Sequence, residues 1–151
     1  MRRLLLALTV MLSGRAMTLA YISRAGGTGA GDPPIGWMLP LLGDAFIGIT
    51  ALGVAYLVWR GRTVLAWTLI VVWNALAIWD ALSAFVVHLT VPWPSFFMLE
   101  IFGASMFFAA SAMHAVCIVL LGRPTLRLAY GVAADGPSGG PTGPQRERAS
   151  A

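Results

Sequence analysis

Lysine is absent from this sequence, and charge of either sign is scarce. The ten basic residues are all arginines, set against six Asp and Glu, and only 11% of the 151 residues are charged. A soluble domain usually carries about 25%. With 58% hydrophobic residues and a mean hydropathy of +0.80, such a chain would present large apolar patches to water and aggregate. The composition excludes an ordinary soluble domain and points to a membrane protein. The single cysteine, Cys117, excludes an internal disulfide and a Cys-based zinc site. No Walker loop, HExxH or CxxC pair occurs, so no motif of these kinds points to catalysis and the reading leans against an enzyme. Gly26-Gly27-Thr28-Gly29 lies in a low-complexity loop without the strand context of a phosphate cradle. The arginines stand at the ends of apolar runs rather than in one patch, which argues against nucleic acid as a partner.

What the chain does contain is four long apolar runs. Arg2 and Arg3 precede the first, from Leu4 to Ile22. It has the makings of a signal peptide, but Ser13-Gly14-Arg15-Ala16 is a poor cleavage region and the apolar character continues beyond it, so an uncleaved span is expected. After the Gly/Pro-rich loop Ser23 to Gly36, a second span runs from Trp37 to Trp59, bracketed by tryptophans as interfacial belts predict. Arg60-Gly61-Arg62-Thr63 is a tight turn, which makes spans two and three antiparallel neighbours. Span three, Val64 to Leu89, carries 13 Val, Leu, Ile or Phe residues, each favouring insertion by about 0.3–0.6 kcal/mol, against about 2.5–3.5 for its one aspartate. Thr90 to Ser95 is a Pro-broken loop. Span four runs from Phe96 to about Leu121, where Gly122 and Pro124 end it. Residues 131–151 lack the apolar content to fold and read as a disordered tail.

These assignments predict an all-α, four-transmembrane-helix bundle over residues 1–130. Arg2, Arg3, Arg60, Arg62, Arg123, Arg127, Arg146 and Arg148 fall on one side and Arg24 alone on the other, so the positive-inside rule puts both termini in the cytoplasm. The lysine-free, Ala/Gly/Pro-rich composition suggests a GC-rich bacterial genome and a place in the bacterial plasma membrane.

Polar groups inside such helices are costly and must find partners. At 1.5 Å per residue, Glu100 lies about 6 Å below the outer end of span four, Asp44 about 10 Å below that of span two and Asp80 about 13 Å below that of span three. Arg15, about 18 Å up from the inner end of span one, reaches a similar level in a ~30 Å core. Four helices thus deliver Arg15, Asp44, Asp80 and Glu100 to the outer half of one bundle. Helical spacing from Asp44 gives Gly48, Ala51 and Ala55, and from Asp80 gives Trp73, Ala77 and Ala84. From Glu100 it gives Gly103, Phe107, Ser111 and His114. Asn74 lies deeper than Asp80 and is expected to tie helices together. His88 falls at the outer mouth, whereas His114 falls about 27 Å below the outer face, so the two cannot clamp one haem. His114 is expected to bond a neighbouring carbonyl. No cofactor and no metal is assigned.

Pro40-Leu41-Leu42-Gly43-Asp44 in span two and Trp73-Asn74 followed by Asp80 in span three form a pattern. It resembles a group of small bacterial four-helix membrane proteins. The likeness covers spans two to four, with His114 matching a histidine near the end of the last span. Ala77 stands where the group often carries glycine, and Ala81 where it often carries leucine. The resemblance implies that Asp44, Asn74 and Asp80 belong together, and it implies no activity. The leading functional expectation is a small transport or proton/cation-coupled protein, or an accessory subunit, with Asp44, Asp80, Glu100 and Arg15 as its cluster. The alternative is a structural or interaction protein whose buried polar residues only specify helix packing. A membrane redox enzyme, the third reading, would need a bound chromophore. The lipid bilayer is the expected partner, with a homo-oligomer or a larger membrane complex left open.

Overall fold

Runs of apolar residues that place no proline beyond a first turn favour helices. The computed structural model describes residues 1–93 and 96–132, without the side chain of Phe97. Among these residues it contains helices, turns and loops but no strand. The first helical stretch runs from Arg2 to Ile22 as three pieces: α1 (Arg2–Met11), a 3₁₀ segment (Leu12–Thr18) and α2 (Leu19–Ile22). A 3₁₀ turn (Ile35–Trp37) leads into α3 (Met38–Arg60), followed by α4 (Val64–Thr90), α5 (Phe97–Phe102), α6 (Ser105–Leu121) and α7 (Pro124–Ala129). Three stretches, Arg2–Ile22, Ile35–Arg60 and Val64–Thr90, are long and apolar enough to cross a membrane. Helix α6 is apolar but has only 17 residues. The tail expected from residue 131 lies, from 133 onward, outside the described residues, as do Asp135, Arg146 and Arg148.

The long helices are inside out compared with those of a soluble bundle. The exposed stripe of α4 is Leu65, Leu69, Val72, Leu76, Trp79, Val86 and Leu89, all large and apolar. Its buried face is Ala66, Ile70, Trp73, Asn74, Ala77, Ala81 and Ala84, mostly small with one polar side chain. Helix α3 repeats this pattern, with Leu39, Phe46, Ile49 and Leu52 outside and Ala45, Gly48, Ala51 and Ala55 inside. Small inward residues allow close backbone approach, and large outward ones suit an apolar surrounding.

Among the described residues two apolar cores result. One gathers Leu5, Leu12, Ile47, Val58, Ile70, Trp73, Cys117, Leu121 and Tyr130. The other gathers Trp37, Leu41, Ala84, Trp93, Phe96, Leu99 and Phe107. In sequence Asp44 falls between Leu41 and Ile47, and Asp80 between Ala77 and Ala84. The ionisable residues therefore occupy the level that separates the cores.

The unbroken fourth span expected from Phe96 to Leu121 is not observed. Gly103 adopts φ +57 and ψ −154, a region essentially reserved for glycine, and it separates α5 from α6. Glu100 belongs to the short α5, so it does not hang inward from the top of a long helix.

Candidate functional site

The 3₁₀ segment presents the site's cation. With three residues per turn, Leu12, Arg15 and Thr18 line up on one face. Leu12 and Thr18 are buried, and the Thr18 hydroxyl donates to the Arg15 carbonyl at 2.8 Å. Gly48 of α3 makes room for this face. A Cβ there would collide with the backbone of Arg15 and Ala16.

The guanidinium of Arg15 is used on all three nitrogens. Nε donates to Asp44 Oδ1 at 2.5 Å and Nη2 to Asp80 Oδ2 at 2.5 Å. Nη2 also pairs with Asp44, and Nη1 lies 3.3 Å from His114 Nε2. The two carboxyl groups thus share Nη2, which holds Asp44 Oδ1 and Asp80 Oδ2 beside each other. Gly43 accommodates the Asp80 carboxylate, because a Cβ at that position would overlap it.

Hydrogen-bond polarity sets the histidine tautomer. Asn74 Nδ2 donates to the Ile70 carbonyl at 2.8 Å, which turns Asn74 Oδ1 toward His114 Nδ1, 2.9 Å away. An amide oxygen only accepts, so Nδ1 carries the proton and Nε2 offers its lone pair to Arg15. His114 is neutral in this arrangement. Its ring is held edge-on by Trp73, with centroids 5.4 Å apart, and Trp73 Nε1 in turn donates to Thr50 Oγ1 at 2.9 Å. A continuous chain therefore runs from the carboxyl pair through Arg15, His114 and Asn74 to the α4 backbone.

Charge does not balance along this chain. One guanidinium faces two carboxyl groups, so full ionisation would leave one uncompensated negative charge among side chains only 14–23% exposed. Either a proton or an incoming cation relieves that excess. Arg15 and Asp44 also line a cleft of about 510 Å³ whose other walls are mainly methionine, phenylalanine and alanine.

Of the residues expected to cluster, Arg15, Asp44 and Asp80 meet. Glu100 does not: it is exposed on α5 and forms no ion pair among the described residues. His114 joins the cluster directly, and Asn74 joins it through His114. The same break explains both outcomes. Counted from Ser105, where α6 begins, His114 is about 14 Å along, and Asp80 is about 15 Å from the Thr90 end of α4. The 27 Å depth expected for an unbroken span is therefore too great, and the partners of His114 are side chains rather than a carbonyl. His88 lies in the aromatic core against Trp37 and Phe107, with ring centroids 6.3 and 5.7 Å away, and among the described residues its Nδ1 has no hydrogen-bond partner. Among the described residues, no group of three or more His, Cys, Asp or Glu side chains could hold a metal ion.

No family model, curated protein or solved structure matches the chain.

Proposed function

We propose that the chain is a four-span integral protein of the bacterial plasma membrane with both termini cytoplasmic, and that its Asp44–Asp80–Arg15–His114 network is a proton-coupled site of a small transport protein or accessory subunit. The inside-out helices support membrane insertion, and the arginine distribution supports the orientation. At 17 residues, α6 reaches the lower limit for a span of about 17–25 residues. The observation that carries the functional reading is the pair of adjacent carboxyl groups sharing one guanidinium. Like charges held that close favour retention of a proton. Arg15 already fills the space between the carboxylates, which favours a proton over a metal cation.

Infrared difference spectroscopy of the protein in lipid nanodiscs, stepped between acid and alkaline pH, tests this. A protonated-carboxyl C=O band should titrate in the wild type and disappear in Asp80→Asn, while that variant still folds. If Asp80→Asn keeps the wild-type titration and loses only thermal stability, the network is structural. That second reading has its own support. Gly43 and Gly48 press the ion pairs into close helix packing, where buried pairs specify geometry rather than chemistry.

A further inference from the structure

We propose that the cleft beside Asp44 binds lipophilic cations, hydrophobic ammonium or phosphonium ions whose charge is met by the Asp44 carboxylate. The proposal rests on the proton-coupled reading and names what would exchange with the proton. Three observations converge on it.

The first is the wall. Five of the chain's seven methionines, Met11, Met17, Met98, Met106 and Met113, line this one cleft. Methionine side chains are flexible and polarisable, and they suit surfaces that accept apolar partners of varied shape. Phenylalanine rings at Phe102 and Phe107 add faces that attract cations. The second is size: about 510 Å³ falls within the range of small-molecule sites, roughly 300–1,000 Å³. The third is the charge at the polar end. The nitrogens of Arg15 are turned to Asp44, Asp80 and His114. Its positive charge is thus spent inside the network and offsets only one of the two carboxyl groups, so the pair carries one negative charge in excess once its proton is gone. An apolar anion would meet that excess unfavourably, and a neutral molecule would leave it unrelieved. A hydrophobic cation relieves it by taking the place of the proton, which leaves to solvent, so the charge of the site is unchanged by the exchange.

Tetraphenylphosphonium and the anion tetraphenylborate, similar in size and opposite in charge, are the probes, measured by calorimetry on the full chain in nanodiscs against empty nanodiscs. Tetraphenylphosphonium should bind saturably and weaken about tenfold for each unit the pH is lowered where it displaces the proton. Tetraphenylborate should not saturate. Asp44→Asn should weaken phosphonium binding about tenfold or more and remove its pH dependence. Ala110→Phe, which narrows the cleft from its α6 wall, should abolish binding and leave the titrating carboxyl band intact. Equal, saturable binding of both ions would show a site for lipid chains only and overturn the proposal. So would phosphonium binding that survives Ala110→Phe. Absent phosphonium binding with a carboxyl band that still titrates sinks the ligand class and leaves the proton reading standing. A band that never titrates overturns the exchange, and the proton reading falls with it.

Discussion

Gly48 and Gly53 lie five residues apart on α3 and behave oppositely because of what each faces. A Cβ at Gly48 meets the backbone of Arg15 and Ala16, which cannot rotate out of the way, whereas one at Gly53 meets nothing within 4 Å. Gly48→Ala should destabilise the protein by about 1–3 kcal/mol through overpacking and push Arg15 away from Asp44. Gly53→Ala should be neutral or stabilise it by up to about 1 kcal/mol through helix propensity. Thermal unfolding of both variants in detergent checks the contrast, and equal effects would refute the close approach at Gly48. Asp44, Asp80 and Arg15 were legible in the sequence because ionisable residues in apolar runs are conspicuous. Gly48 was legible as part of a small-residue stripe. That it admits one particular backbone segment, carrying the cation, was not.

The two departures from regular α-helix decide which side chains meet. In the first stretch, the 3₁₀ segment brings Leu12, Arg15 and Thr18 to one face, which the 3.6-residue period of an α-helix would spread apart. In the last, Gly103 detaches α5, taking Glu100 out of the site and bringing His114 level with Asp80. Glu100→Gln should therefore leave the titrating carboxyl band unchanged and alter stability by less than about 0.5 kcal/mol, as for an exposed residue outside any network. A band lost in that variant would restore Glu100 to the cluster. Helix breaks of this kind are hard to read from sequence, because a single glycine is tolerated inside many helices and only its surroundings decide whether it adopts positive φ.

At the scale of the whole molecule, both ends of the bundle are fastened by polar side chains on backbone carbonyls. At one end Arg2 donates to the carbonyls of Val58 and Gly61 at 2.6 and 2.9 Å, and the Tyr130 hydroxyl donates to Val58 at 3.3 Å. The first helix, the end of α3 and α7 are joined there. At the other end Trp37 donates to the Val91 carbonyl at 2.7 Å and Trp93 to that of Gly31 at 3.2 Å. Burial raises the Tyr130 phenol above its ordinary value of 10.0, with nearby Arg2 opposing the shift. The folded phenol thus keeps its proton at a pH where the unfolded one has lost it, and stability present below about pH 10 falls as pH rises further. Tyr130→Phe should remove part of that alkaline loss and cost about 1 kcal/mol near neutrality. Melting temperatures at neutral and alkaline pH give the comparison, and an unchanged alkaline slope would refute it. Composition and hydropathy alone determined the all-helical class and predicted four spans, of which three are seen as helices long and apolar enough to cross a membrane. They also marked the residues that need partners, because insertion and polar burial are local costs summed along the chain. Only the tertiary structure decided that His114 and Asn74, not Glu100, complete the network. Partnership depends on axial level and on which faces meet, and both were set by the 3₁₀ segment and the Gly103 break.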